Sequence, residues 1–373
     1  MPRIAVFHVS AGTGHTSAAK AIGAALAAIP GVEVHVEDVF DHVNALARKT
    51  ITAGYNDIST RLQPLYTMVH SGINIADTDK ALRSNRAMTT AGKPFLLRFT
   101  RHVRELAPDA IVCTMQWPLH VLGAYAAEQG VPIYAAITDF SVQSTWLMEG
   151  VAGYFVASEL SRDVLLARGV PAERIFVTGI PVRLEIAEPK NPAEMRRRHE
   201  LPEREAVVTV FGGGVATERV RVMVEQLLTV PRPGVVVVVA GRNKELSDAL
   251  RDLDDGPQMR LRLLDFVTYV DDLVAASDVV ISKSGGLITS EILARSTPMI
   301  VIDPVPGQEE WNADFVSASG AGLQVRVPEL AHLAVSMLLA RPERLELMRE
   351  QAAAVGRPHA AQAIAEHVVA ALG

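Results

Sequence analysis

Two doubly wound α/β domains facing a cleft are the fold this sequence predicts, on three observations. Short β-branched runs alternate with Ala- and Leu-rich stretches of helical period, the pattern of parallel sheets covered by helices on both faces. The alternation occurs twice, on either side of a proline- and charge-rich stretch from Pro181 to Pro202. The 373 residues, 49% hydrophobic and 21% charged, are too many for one comfortable core and too apolar for a disordered chain.

In the first half, strands are expected near Ile4 to Val9, Val32 to Glu37, Ala110 to Thr114, Pro132 to Thr138, Gly153 to Ala157 and Ile175 to Thr178. Residues 44–106 break the alternation with helical patterns and form an insertion. Within it, Lys80, Arg83, Arg86, Lys93, Arg98, Arg101 and Arg104 have no acidic residue between them. On a helix starting at Pro94, Phe95, Leu96, Phe99, Val103 and Leu106 share one face and Arg98, Arg101 and Arg104 the other. Such a helix either lies on an anionic membrane surface or packs its apolar face on its own sheet and leaves the arginines solvated. Pro181 to Pro202 reads as a linker leading into the first helix of the second domain. Further strands follow near Ala206 to Phe211, Val235 to Ala240, Arg260 to Phe266, Val279 to Ser282, Met299 to Ile302 and Leu323 to Val327. The expected domains are thus 1–183 and 184–373, both Rossmann-like, with the last helix free to pack back on the first.

Composition narrows the function. Thirty-six Lys and Arg against 42 Asp and Glu give a formal charge of −6, which argues against a nucleic-acid partner. The single Cys113 sits in an apolar run, favours a reducing compartment and reads as a buried thiol. The start of the chain runs directly into a glycine-rich turn without a small-residue cleavage site, so a signal peptide is not expected. The longest aliphatic run, Val235 to Ala240, is far short of the roughly 20 residues of a membrane span.

The chemistry is expected in the turns after strands. Gly12, Thr13 and Gly14 lead into an Ala-rich helix, where backbone N–H groups can meet negative charge. His15 at the mouth of this turn is a candidate general base, with Asp139 the next candidate. Ser17 stands where a dinucleotide fingerprint has its third glycine, although Glu37 or Asp38 keeps an NAD-binding reading open. Phe211-Gly212-Gly213-Gly214 forms a second glycine-rich turn. The stretch Lys283-Ser284-Gly285-Gly286 opens a helix and can wrap a diphosphate with backbone N–H groups and the Thr289 hydroxyl. Glu291 either accepts from ribose hydroxyls or complements the helix dipole. Gln308 and Glu309 follow another strand and either bridge sugar hydroxyls or form a polar surface turn. Asp252-Leu253-Asp254 carries a D-x-D pattern but reads as a solvated helix end, and the one cysteine and the lack of an H-E-x-x-H pair imply no metal.

The ordered set GTGH, TDF..Q..W (Thr138 to Trp146), VTGIPV, FGGG, AGRN (Ala240 to Asn243), SKSGGLITSE and PGQEEWN resembles the monogalactosyldiacylglycerol synthase and processive diacylglycerol glucosyltransferase family, a relative of the N-acetylglucosaminyltransferase of peptidoglycan synthesis. The resemblance spans about residues 4–326. It implies a GT-B fold, a UDP-sugar donor in the second domain, a lipid acceptor in the first, and inversion at the anomeric carbon. By resemblance His15 is the base, Glu291 the ribose ligand, Gln308 and Glu309 donor-sugar contacts, and Phe266 and Val267 the turn whose backbone reads uracil. Arg242, Asn243, Gly213, Gly214, Lys283, Gly285, Gly286 and Thr289 complete the donor set, and Gln143, where the family usually has His, and Trp146 join the acceptor side.

The expectation is therefore a cytoplasmic enzyme, peripheral to the inner face of the cell membrane, that moves a hexose from a UDP-sugar to a lipid hydroxyl without cofactor or metal. Its partners would be a UDP-hexose, a lipid acceptor and an anionic membrane surface. A UDP-sugar 2-epimerase, an NAD-dependent dehydrogenase and a non-catalytic UDP-sugar sensor are the alternatives.

Overall fold

The computed structural model describes residues 1–10, 13–43, 74–92 and 96–373. Gly12, Lys93, Phe95 and most of the expected insertion lie outside the described residues, and of Thr13 only the backbone is described. The chain forms two compact units, one of Met1–Glu185, Pro306–Gln308 and Arg357–Gly373, the other of Ile186–Val305 and Glu309–Gly356.

The first unit runs β1 (Arg3–His8), α1 (Thr13–Ala27), β2 (Glu33–Asp38), α2 (Thr78–Gly92), α3 (Leu97–Leu106), β3 (Ala110–Cys113), α4 (Gln116–Gln129), β4 (Ile133–Ala136), β5 (Gly153–Val156), α5 (Glu159–Ala167) and β6 (Ile175–Val177). Its six parallel strands lie in the order β2-β1-β3-β4-β5-β6. Alternate β1 side chains enter different cores: Ala5 and Phe7 join Phe99, Val103 and Leu119 on one face, while Ile4 and Val6 join Ile22 and Leu26 of α1 on the other. The second face is closed by Ala361, Ile364 and Val368 of the chain's last helix, which belongs to this unit. Cys113 is fully buried in the first core, and burial pushes its thiol up, so it has no nucleophilic role.

The amphipathic reading of the basic helix is resolved in favour of packing. Phe99 and Val103 of α3 are fully buried, and the Phe99 ring meets Phe7 edge-on at 4.9 Å. Its apolar face therefore cannot enter a bilayer, whereas Arg98, Arg101 and Arg104 are exposed and Arg104 pairs with Glu128 at 3.2 Å. No helix among the described residues is long and apolar enough to cross a membrane.

The second unit contains α6 (Pro192–Arg198), β7 (Ala206–Phe211), α7 (Thr217–Leu228), β8 (Gly234–Gly241), α8 (Lys244–Leu250), β9 (Met259–Asp265), α9 (Val270–Ala276), β10 (Val279–Ser282), α10 (Gly286–Ala294), β11 (Met299–Ile302), α11 (Gln308–Ala318), β12 (Gly322–Val325), α12 (Ala331–Leu339) and α13 (Pro342–Val355); α14 (Ala360–Ala370) is the helix returned to the first unit. The parallel sheet order is β12-β11-β10-β7-β8-β9, so order reverses between β7 and β10. Every one of the twelve expected strands is present to within two residues at either end. Within this unit Arg295 grips Asp271 with two bonds of 2.5 and 2.6 Å, all but removed from solvent. Beside it Asp272 accepts from Lys190 and, at 2.8 Å, from His199; burial opposes its charge, but these partners hold the carboxyl down to about 2. The Asp252 carboxylate of the D-x-D pattern is an exposed helix-end group paired with Arg221 at 2.6 Å.

Candidate active site

In an open parallel sheet, the turns at the carboxyl ends of the strands on either side of the reversal in order form a natural crevice. In the first unit those turns follow β1 and β3. His15 is the third residue of α1, and its Nδ1 lies 2.7 Å from the carbonyl oxygen of Thr114, immediately after β3. A carbonyl only accepts, so Nδ1 carries the hydrogen and Nε2 the lone pair. The Thr114 hydroxyl donates back to the His15 carbonyl at 3.0 Å, and the Thr138 hydroxyl lies 3.1 Å from Nδ1. The ring is thus held from the ends of three adjacent strands. Burial lowers the His15 pKa, opposed by the nearby Asp139 carboxylate and by the bond to Thr114. A neutral imidazole with a fixed tautomer and a basic Nε2 is suited to accept a proton from an alcohol.

Asp139 follows β4, and its Oδ2 accepts from Gln308 Nε2 at 2.9 Å, the Pro306–Gln308 segment grouping with this unit. Gln308, expected on the donor sugar, here directs its amide to Asp139. Asp38, a candidate ribose ligand in the dinucleotide reading, instead accepts from the backbone N–H groups of Ser10 at 3.2 Å and Phe40 at 3.0 Å. It anchors the entry to the glycine turn, and Glu37 engages His42 and His102, so neither carboxylate is positioned as the NAD fingerprint needs. Trp146, expected on the acceptor side, is 2% exposed and belongs to the hydrophobic core that also holds Leu147 and Val151. Gln143 precedes the short 3-10 turn Ser144–Trp146 and is half-buried, as is Gly14.

The second unit places its two glycine-rich turns after β7 and β10, at the reversal point of its own sheet. Lys283 joins them: its Nζ donates to the Gly214 carbonyl at 3.2 Å and lies 3.6 Å from Glu309 Oε2. Gly214 adopts a φ of +77°, a conformation that favours glycine, and Gly213 and Gly214 are exposed. Gly285 and Gly286 open α10, whose first N–H groups and dipole favour an anion. Glu309 accepts from the Val305 N–H at 2.7 Å, and its carbonyl accepts from Ser284 Oγ at 2.6 Å, so the β10 and β11 turns are bound together.

Two donor-set side chains, those of Thr289 and Asn243, are engaged within the fold, and that of Val267 packs as a turn read through its backbone would allow. Thr289 is fully buried on the inner face of α10, so its hydroxyl is not presented to a diphosphate. Asn243 caps α8 by accepting from the Leu246 N–H at 3.1 Å. Val267 packs against the Val237 and Val239 core, leaving only its backbone for recognition. Phe266 is exposed, with the Arg242 guanidinium 4.7 Å above its ring, a planar platform at the end of β9. Glu291 is almost completely buried in α10.

Sequence reasoning missed His8, Thr114 and Thr138. His8 ends β1, is buried beside the Thr16 hydroxyl at 3.2 Å, and is pushed to lower pKa by that burial, opposed by Asp38. The available signal was a polar residue directly after an apolar strand, which marks the functional end of a parallel sheet.

Residues 15–182 match the family model described as monogalactosyldiacylglycerol (MGDG) synthase, and residues 207–368 match the glycosyltransferase family 28 C-terminal domain. A processive diacylglycerol beta-glucosyltransferase of Bacillus pumilus is 30% identical over 265 residues, covering 70% of this chain and 68% of the relative. Among solved structures, MurG of Acinetobacter baumannii aligns with a TM-score of 0.69 at 16% identity over 99% of this chain and all of the other. The UDP-GlcNAc 2-epimerase of Neisseria meningitidis, solved with UDP-GlcNAc, aligns at 0.60 and 14% with the same coverage, a likeness of fold alone. These structures share the two-domain GT-B architecture, so the two six-stranded units are its halves. By sequence and fold together, the chain belongs to the glycosyltransferase family of monogalactosyldiacylglycerol synthase and the processive diacylglycerol glucosyltransferases.

Proposed function

We propose that the chain transfers a hexose from a UDP-sugar to the hydroxyl of a lipid, diacylglycerol or a glycolipid, with inversion at the anomeric carbon. The observation that carries this reading is the match of residues 15–182 to a lipid-galactosyl synthase family, beginning at the very histidine whose Nε2 is left basic by the Thr114 carbonyl. His15 removes the acceptor proton as the oxygen attacks. The turns after β7 and β10 take the UDP diphosphate, with Phe266 and Arg242 beside the uracil, Glu291 toward the ribose and Glu309 toward the sugar. The negative charge arriving on UDP is met by the N-terminus of α10 and by Lys283, a set that needs no metal. Gln143 and Gly14 face the acceptor. Association with an anionic membrane surface at the cytoplasmic face is electrostatic, through the exposed Arg98 and Arg101, because the apolar face of α3 is occupied by the protein's own core.

A panel of UDP-hexoses incubated with a total lipid extract and read by mass spectrometry tests the reading. A hexosylated lipid formed from one donor supports it. Conversion of a UDP-sugar to its 2-epimer with no acceptor present, seen by NMR, would replace it with the epimerase reading.

A further inference from the structure

Away from the His15 turn, on the face of the first sheet covered by α3, three side chains converge. Glu37 lies near the end of β2, His42 ends the short 3-10 turn Val39–His42, and His102 sits on α3. His42 Nε2 is 2.9 Å and His102 Nε2 2.8 Å from the same carboxylate oxygen, Glu37 Oε2. The imidazoles stack with centroids 4.2 Å apart and planes 22° apart, so both present the same nitrogen to one side. His42 is aligned for a hydrogen bond to Glu37. His102 is not: its Nε2 is buried and, despite its proximity, has no hydrogen-bond partner of acceptable geometry. A buried ring nitrogen that points beside a carboxylate rather than at it lacks the partner that folding normally supplies.

We propose that Glu37, His42 and His102 bind a divalent transition-metal ion of the zinc class. Two imidazoles and a carboxylate are a borderline-hard donor set that suits zinc, with a position left for water. The three ligand atoms already lie within 4.8 Å of one another. Donors about 2.1 Å from a tetrahedral ion sit roughly 3.4 Å apart, so each histidine nitrogen needs to move only about half an ångström away from the Glu37 oxygen. The role is structural. His42 and His102 flank the stretch that carries the insertion, and an ion joining them closes a loop of some 60 positions and fastens α3 to β2. The adjacent residue on β2, Asp38, anchors the entry to the His15 turn, so the ion also stiffens that strand end.

The full chain, stripped with EDTA and freed of chelator, is titrated with Zn²⁺ alone by calorimetry, and Co²⁺ loading is read by visible absorption. The proposal expects one ion per chain at micromolar affinity or tighter, a cobalt d–d band, and a thermal midpoint raised by zinc. His42→Ala and His102→Ala should weaken binding by at least tenfold and abolish the band and the midpoint shift, while His332→Ala in the second unit changes nothing. Absence of stoichiometric binding in the unaltered chain at 50 μM Zn²⁺ overturns it, as does full-strength binding in both histidine variants. If an alanine variant does not fold, Glu37→Gln and His102→Gln carry the same test, and their retention of full affinity also overturns it.

Discussion

Replacing His15 by alanine removes an imidazole whose tautomer the Thr114 carbonyl fixes toward a basic Nε2. An alcohol is a poor nucleophile until its proton is taken, and a positioned base contributes typically 10²- to 10⁴-fold, about 3–5 kcal/mol of barrier. The lost bond to Thr114 costs about 1 kcal/mol of stability, so the variant should fold and its circular dichroism should match the parent. The kcat for hexosyl transfer at saturating donor and lipid should fall by 10² to 10⁴, while UDP affinity, assigned by the proposed function to turns of the second unit, stays within about twofold. His15→Asn keeps a polar group without useful basicity and should fail equally. The pH profile adds an independent readout. Burial lowers the His15 pKa from that of a free imidazole, so the acid limb of kcat/KM should lie on the acid side of an unperturbed histidine's. Asp139 is the attraction that opposes this, so Asp139→Asn should move the limb to still lower pH. A His15→Ala enzyme that keeps more than half of its kcat, or an Asp139→Asn limb that moves upward, would refute this reasoning.

Glu291→Ala and Lys283→Ala should each weaken UDP binding about tenfold or more by calorimetry, as expected for losing a charge-assisted contact; unchanged affinity would remove that residue from the site. Arg295→Ala removes the two-bonded partner of the buried Asp271 carboxylate and leaves it only the ion pair with Lys190, so it should destabilise the second unit by about 1–3 kcal/mol and lower its unfolding midpoint by several degrees in calorimetry. Asp272 is held at about 2 in the folded state, so its contribution is present above pH 4 and is lost as pH falls toward 2; Asp272→Asn should flatten the acid-unfolding curve in that window. Charge reversal at Arg98 and Arg101 should reduce co-sedimentation with anionic liposomes at low salt and leave UDP binding intact, whereas indifference of the unaltered protein to such liposomes would remove the membrane from the account. Turnover should persist in EDTA at 25 °C; activity that vanishes and returns with manganese would contradict the metal-free leaving-group chemistry.

The strands were legible because parallel strands buried on both faces read as short, near-continuous apolar runs rich in β-branched residues, most plainly in Val235 to Val239. The glycine turns were legible for a related reason: a backbone that bends sharply from strand to helix excludes large side chains, as the positive φ of Gly214 shows. What a linear pattern cannot carry is which polar residue ends up inside. Trp146 and Thr289 sit in motifs that look functional, yet side-chain direction turns both into the core. The support of His15 by Thr114 and Thr138 joins positions 99 and 123 residues away, and depends on strand order rather than spacing. The basic helix shows the opposite case, since its period was plain but only the Phe7–Phe99 contact tells which surface covers its apolar face. Glu37, His42 and His102 escaped for the same reason as the threonines, because no local spacing rule links a strand end, a turn and a helix 60 positions on.

The central claim is transfer to a lipid with inversion, and one incubation tests it most directly. UDP-[1-¹³C]glucose, whose anomeric carbon is α-linked, is mixed with enzyme in the presence and absence of diacylglycerol vesicles and followed by ¹³C NMR. The account predicts that label leaves UDP at a catalysed rate with vesicles, appears as a β-linked hexosyl lipid, and is lost by the His15→Ala variant. An α-linked product, or rapid rearrangement of the labelled donor without lipid, would contradict it.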